Sequence, residues 1–473
     1  MTQGSTSEIY NCSLLSSERV FYNKRTKQLG NSLVEVYADN RLSIESLKWY
    51  LEMGYVPGVK TIFEDIEIIR NCKEAFIKEG KLFTDKRLYL EDLIDSSIHR
   101  GKNLEELTEE GGELFNQVVD ALYQKERKQV ILPLTAGLDS RMILGGLLNS
   151  LPASEIITYT YGVPGSPDFE ISKKISKKFG IKHYAFDTTK YILTKERLLN
   201  FAKMSDCSMP LFDHWPIEWV EELCGEYNGS IWSGVLGSPL SGGNLPKSLG
   251  EDEFNAFIYR TNRLPSITSL SAALLKEKPY LTHSNSILGE LKEITHDTLD
   301  IYFRHSDLIA PTLLIPSLSN IQPFGHPDVI AFFLSLPINL RVNRVLMNEI
   351  IIKHYPELAK FKSNRAGGKS LLVKKHSERI GSRIKRKFFK SKSYYSGGKY
   401  LPLSWYVKNN SELKDLVFSR LQNLESRGLF DGLKLNIIID EFKRDNLKKV
   451  NHDRIIDALV SLEIFLELVD YKR

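Results

Sequence analysis

An α/β fold built on a doubly wound parallel sheet follows from three observations on the bare sequence. The apolar run Val130-Ile131-Leu132-Pro133-Leu134 breaks off into the small turn Thr135-Ala136-Gly137-Leu138-Asp139-Ser140-Arg141, and Met142 to Leu148 resumes as a helix. A second β-branched and aromatic run, Ile156 to Tyr161, leads through the turn cluster Gly162 to Asp168 into a helix. That helix carries Ile171, Ile175 and Phe179 at helical spacing and is closed by Gly180. A third run, Ser230-Ile231-Trp232, ends in the small-residue turn Ser233-Gly234. Strands that alternate with helices pair in parallel through crossover connections.

The first turn carries chemistry. A strand, a tight turn and a helix N-terminus aim free backbone N–H groups at one spot, where the helix dipole favours an anion. Thr135 and Ser140 add hydroxyls for phosphate oxygens, and the carboxylate of Asp139 calls for a cation between itself and a phosphate, with magnesium the natural choice. The lysine of the Walker loop is absent. The residues instead resemble the S-G-G-x-D-S loop of the PP-loop ATP pyrophosphatases, with Thr135 and Ala136 where that family has Ser and Gly.

The following unit narrows the resemblance. Gly162-Val163-Pro164-Gly165-Ser166-Pro167-Asp168, then a helix, then Phe179-Gly180-Ile181-Lys182-His183 is similar to the synthetase domain of the asparagine synthetase family. The frame Ser233 to Gly243 resembles that family's S-G-E-G-[SA]-D-E-L-F-G-G segment at Ser233, Gly234, Leu240, Gly242 and Gly243. Val235, Ser238 and Pro239 stand where the family has Glu, Asp and Glu, and the Asp is a magnesium ligand there. The resemblance implies ATP as cofactor, Mg2+ on Asp139, pyrophosphate held by Thr135 to Ser140, AMP held by Leu134, Tyr161, Ser233 and Gly234, and further ATP-binding residues in Gly162 and Asp168.

The rest of the chain is read from its start. The 473 residues, 42% apolar and 26% charged, suffice for two or three domains with full cores. Four cysteines without a C-x-x-C pair imply a reducing compartment. No apolar run approaches the roughly 18 residues of a membrane span, and residues 1 to 20 lack a signal pattern, so a cytoplasmic protein is expected.

Leu33-Val34-Glu35-Val36-Tyr37 alternates like a strand, and Ser43 to Gly54 reads as a helix capped by Ser43 and followed by the turn Tyr55-Val56-Pro57-Gly58. This region resembles the C-terminal edge of the glutaminase domain of asparagine synthetases, shortened to residues 1–90. That domain uses an N-terminal cysteine as nucleophile; position 2 here is Thr and the first cysteine is Cys12. A cap that hydrolyses no glutamine is expected.

Glu105 through Tyr123 sets Leu107, Leu114, Val118, Val119 and Leu122 on one face, as a helix lying on a sheet does, and His99 ahead of it reads as a surface residue. Between the second and third strands, Asp206 to Pro216 mixes Asp, Cys and His, but the spacing suits no zinc pattern and the prolines imply a rigid loop. A loop here faces the nucleotide and acceptor in the resembled family, which makes Asp206 and Asp213 candidates for substrate contact.

Beyond Gly243 the pattern turns helical, with Ala256 to Arg263, Ser266 to Glu277 and Ser286 to Phe303 as candidate helices broken by Pro265 and Pro279. Pro323 to Pro337 resembles a P-F-L-D…L-S-L-P segment of the family, with Gly325 and His326 in place of Leu and Asp. His326 reads either as an auxiliary acid or base or as a loop histidine satisfied by the backbone. Lys362-Ser363-Asn364-Arg365-Ala366-Gly367-Gly368-Lys369 lies where the family places a lysine that neutralises phosphate charge. Arg365 is the best match, with Lys362 and Lys369 beside it.

The net charge of +5 gathers in 374–399, which suits a solvated helix face and loop, or a surface for an anionic polymer, a phosphorylated sugar carrier or a membrane. No nucleic-acid fold is recognised, so no nucleic acid is expected. Helices are expected at Leu416 to Phe418, Leu433 to Phe442 and Ile455 to Leu468.

The expected architecture is a doubly wound sheet of PP-loop ATP pyrophosphatase type. It comprises a nucleotide-binding core at about 125–240, a helical layer at about 250–473, together the synthetase-like domain 91–473, and the short cap 1–90. The expected activity is an ATP-dependent, AMP-forming ligation of a carboxylate to an amine other than glutamine-derived ammonia, in natural-product, peptide or surface-polysaccharide biosynthesis. The alternative is a degenerate nucleotide-binding protein without turnover.

Overall fold

A computed structural model describes residues 9–11, 19–70, 74–85, 89–206, 211, 216–245, 257, 295–315, 317–363, 368–373, 401, 403–429, 440 and 450–472. Among the described residues before 85, six short strands build two antiparallel sheets: β1 (Tyr10–Asn11), β2 (Val20–Asn23), β3 (Gln28–Gly30), β4 (Ile66–Ile69), β5 (Glu74–Lys78) and β6 (Lys81–Thr84). Their orders are β1-β5-β6 and β3-β2-β4.

Leu33–Val36, expected as a strand, is a single helical turn, α1. Ser32 caps it, and Asp206, 173 positions away, accepts from the Leu33 N–H at 2.8 Å and the Ser32 hydroxyl at 3.0 Å. A buried carboxylate at the positive end of the turn overrides the local alternation. The expected helix α2 (Ile44–Met53) is present, with Ser43 accepting from the Ser46 N–H and Gly54 in the left-handed conformation at its end.

Helix α3 (Leu104–Glu126) matches its expected amphipathic reading and opens with a capping box between Asn103 and Glu106. Then come strand β7 (Gln129–Pro133), helix α4 (Asp139–Ser150), strand β8 (Ile156–Gly162), helix α5 (Pro167–Phe179) and strand β9 (Lys182–Asp187). Helices α6 (Lys195–Ser205) and α7 (Ile217–Tyr227) lead to β10 (Gly229–Trp232), the one-turn helix α8 (Gly237–Leu240) and finally β11 (Asn320–Ile321). Gly237 to Leu240 is helical; Pro239 lies within the turn, compatible with a helix start, where its missing N–H costs nothing.

The last five strands form one sheet in the order β11-β10-β7-β8-β9, and every pairing in it is parallel. Side chains leave a strand alternately to its two faces, and the two faces here feed two cores. Val130, Leu132, Ile156 and Trp232 join Ile143, Leu147 and Ile175 from α4 and α5, with Phe115 and Val119 of α3. Ile131, Ile157 and Ile231 join Leu198, Phe201, Val220 and Leu223 from α6 and α7, with Leu459 and Phe465 of the helix Val450–Leu468. Helices thus cover both faces of a parallel sheet, as expected of a doubly wound α/β fold.

His99, expected at the surface, is buried, with Nε2 2.8 Å from the Phe332 carbonyl and its ring edge-on to Phe332. Of the expected helix Ser286 to Phe303, residues 286–294 lie outside the described residues; a helix starts at His296 and runs to Leu299, and over Asp300–Ile309 it widens to i→i+5 turns. Ala256 to Arg263, Ser266 to Glu277, Leu433 to Phe442 and the basic segment 374–399 lie wholly or largely outside the described residues.

Among the described residues no single helix is long and apolar enough to cross a membrane. The pair Pro327–Leu334 and Ile338–His354, which passes on length and composition, is bent by 111° and buries Val329, Phe333, Leu346 and Ile350 in the core.

Candidate active site

In the parallel sheet, β8 and β9 follow to one side of β7, whereas β10 and β11 lie on the other. The chain therefore reverses direction across the sheet between β7 and β10, and open α/β sheets bind their ligands at the carboxyl ends of the strands at such a switch point. The loops that leave those two ends are 134–138 and 233–236, two of the three stretches singled out from the sequence.

The first loop is braced by its own hydroxyls. The Thr135 N–H donates to Ser140 Oγ at 3.2 Å, the Gly137 N–H donates to Thr135 Oγ1 at 3.0 Å, and the two hydroxyls are 3.4 Å apart. The Ala136 N–H donates to Asp168 Oδ1 at 2.8 Å, which ties this loop to the start of α5. Leu134 and Leu138 point into the core, so they offer the site only backbone. Helix α4 begins at Asp139, and its first amides have no intrahelical acceptor. Tyr161 and Gly162 end the neighbouring β8. Just beyond them, the buried Ser166 Oγ has no hydrogen-bond partner among the described residues, a donor that a bound ligand would satisfy.

The second loop closes on Asp139. Gly234 and Gly237 pass so near that a Cβ on them would lie 3.3 Å from Asp139 Cβ and 2.8 Å from its carboxylate. Ser233 is buried, with its N–H on the Ile321 carbonyl at 2.8 Å and its Oγ accepting from Val235. Arg344, itself buried, donates from Nη1 to Asp139 Oδ1 at 2.8 Å and from Nη2 to Ser238 Oγ, and Ser238 Oγ donates to Asp139 Oδ2 at 3.4 Å. Arg341 holds the same loop from behind. It pairs with Asp297 through both Nη atoms, at 2.5 and 2.6 Å, and donates to the carbonyls of Pro239 and Leu240.

Leu236, Asn343 and Arg344 all take left-handed backbone angles, with φ of 70°, 60° and 60°. Such conformations cost of order 1–3 kcal/mol each in non-glycine residues and cluster at functional sites.

The expected magnesium on Asp139 does not suit this donor set. One carboxylate oxygen is engaged by a guanidinium, its companion is the neutral hydroxyl of Ser238, and a cation already stands where a metal would neutralise the charge. Among the described residues no group of three or more His, Cys, Asp or Glu side chains could hold a metal ion.

Arg141, the last residue of the turn singled out in the sequence but given no role there, joins the two halves of the site. It is fully buried and donates to the carbonyls of Ala136 and Phe361, both at 3.0 Å, and to that of Lys362. Burial pushes its guanidinium down to about 10, opposed by the charge of Asp168, so it stays protonated at neutral pH. Lys362 is thereby held beside the first loop. There Ser363 and Lys369 bond through their backbones at 2.9 Å, and the side chains of Lys362 and Lys369 are exposed. Arg365 lies outside the described residues, as does Asp213.

Asp206 is not brought to the strand ends. It is buried against Ser32, Leu33 and Arg19, the last at 3.7 Å, and burial pushes its carboxyl up to about 6. Both of its hydrogen bonds come from the α1 turn and fall on Oδ1, a structural role. His326 caps the helix Pro327–Leu334, with Nδ1 accepting from the Asp328 N–H at 3.4 Å, the backbone-satisfied alternative.

Arg141 has one local signal, a charged residue inside the apolar run of α4. Arg344 has none, because its partners lie 205 and 106 positions away.

These features define an α/β protein whose two strand-end loops meet at the switch point of its parallel sheet. No model of a known protein family matches the chain, and no curated protein matches it.

Proposed function

We propose that the protein is an ATP-dependent, AMP-forming amide ligase of the PP-loop ATP pyrophosphatase type. The observation that carries this reading is the meeting of the Thr135–Ser140 loop, Asp168 and the Ser233–Gly237 turn at the sheet's switch point, with the unpartnered Ser166 hydroxyl between strand and helix. A carboxylate is a poor electrophile and an amine at neutral pH is mostly protonated, so amide formation needs the acid oxygen turned into a leaving group. Attack of the carboxylate oxygen on the α-phosphorus of ATP does this and expels pyrophosphate. Attack of the amine nitrogen on the acyl carbon then releases AMP and a proton.

In this reading the amides at the start of α4, with Thr135 and Ser140, hold the leaving pyrophosphate, and backbone at Leu134, Gly162 and Gly234 approaches the nucleotide. Lys362, whose carbonyl Arg141 holds, supplies positive charge as pyrophosphate departs, with Lys369 and Arg365 as further candidates for that charge. Holding acid and amine together supplies much of the rate. The acid and amine belong to natural-product, peptide or surface-polysaccharide chemistry.

A second reading, a nucleotide-binding protein without turnover, is favoured by one observation, the Asp139–Arg344 pair with Ser238 in place of a carboxylate. Pyrophosphate exchange into ATP separates the two. With a panel of amino, hydroxy and uronic acids, at least one acid is expected to drive exchange above the acid-free rate. ATP binding without exchange for any acid would favour the second reading.

A further inference from the structure

Among the described residues two arginines contact the stretch after β10, Arg341 and Arg344, and of these Arg344 reaches the phosphate loop. Arg341 is engaged by Asp297 and two carbonyls. Arg344 reaches across to Asp139, the first residue of α4, and bridges it to Ser238. Its side chain is only 4% exposed. Two of its five N–H donors are used on these partners, Met347 Sδ lies 3.9 Å from Nη1, and Nε–H has no acceptor among the described residues. Gly243 backs the guanidinium so closely that a Cβ there would overlap it. The strained angles of Asn343 and Arg344 are what turn this side chain toward the strand ends.

We propose that Arg344 is a built-in cation that takes the place of a divalent metal at the phosphate end of the crevice. Its charge cancels that of Asp139, which would otherwise repel a triphosphate. Its charge adds to the field of the α4 amides, and Ser238 fixes the guanidinium plane where a second carboxylate would instead have drawn in a metal. The nucleotide then binds without magnesium. A guanidinium suits the task because it is always protonated, planar and able to hold a carboxylate and a phosphate at once. The inference rests on nucleotide binding at this site and concerns only which cation serves it.

The test is calorimetric titration of the full chain with ATP in excess EDTA and again in millimolar magnesium. The expected result is a Kd that changes by less than about threefold between the two. Arg344→Lys keeps a charge and retains metal-independent binding. Arg344→Gln loses the charge and is expected to weaken binding in EDTA by roughly tenfold, the scale of one charge-assisted contact, with magnesium now restoring part of the loss because Asp139 is freed. Circular dichroism melts establish that each variant is folded, and if Arg344→Gln is not, the wild-type comparison decides alone. Wild-type binding that is lost in EDTA and present in magnesium overturns the proposal while leaving the nucleotide site standing. Absence of binding under both conditions overturns the site and the proposal together.

Discussion

Arg141→Met is expected to lower the stability of the protein by about 3–5 kcal/mol and to weaken ATP binding with it. Arg141 lies within helix α4 with no exposed surface and supplies donors to three carbonyls, those of Ala136, Phe361 and Lys362. Each buried acceptor left without a donor costs about 1–3 kcal/mol, partly offset because methionine fills the volume and no charge need be buried. The functional loss follows from geometry, since the same three bonds fix the loop 134–138 against the segment that carries Lys362 and Lys369. Arg141→Lys is the informative companion, because one ammonium cannot span three carbonyls arranged for a fork. Its stability is expected to fall between wild type and Arg141→Met in urea unfolding. A loss below about 1 kcal/mol in Arg141→Met would mean that these bonds do not hold the site together.

Phe465→Ala is expected to cost about 3–5 kcal/mol, the usual effect of emptying a well-packed aromatic site. The helix Val450–Leu468 is apolar on nearly every side, with Ile455, Ile456, Leu459, Val460, Leu462, Ile464, Phe465 and Leu466 all buried. A helix of that kind belongs inside a core rather than on a surface. It packs against α6 and the helix Ser411–Ser426, receives the Tyr50 hydroxyl on its Ala458 carbonyl at 3.2 Å, and sets Phe465 6.4 Å from the Phe63 ring. The second core of the sheet is therefore completed by residues from both ends of the chain, and the substitution should lower the thermal midpoint of the whole protein. A separate early transition, with the main one unmoved, would contradict that packing.

The parallel sheet was legible because its signals are local. Buried strands read as apolar runs, and the ends of α2 and α5 carry a capping Ser43 and left-handed Gly54 and Gly180. Loop 134–140 was legible for the same reason. What escaped was fixed by partners remote in sequence. Leu33–Val36 alternates like a strand and coils only because Asp206 sits at its N-terminus. His99 has no apolar pattern around it and is drawn inside by the Phe332 carbonyl. Asp206, in a loop with prolines, looked available for substrate although its bonds belong to α1 and Arg19. The Asp139–Arg344 pair was hidden by separation, and it is the part of the site that bears most on chemistry.

The central claim is that a nucleotide occupies the crevice between β7 and β10. Photolabelling of the full chain with 8-azido-ATP, followed by peptide mapping, tests it most directly. The account predicts label that unlabelled ATP competes away and that falls within 130–141, 159–168 or 230–243. Label that ATP does not displace, or that maps outside those segments, would contradict it.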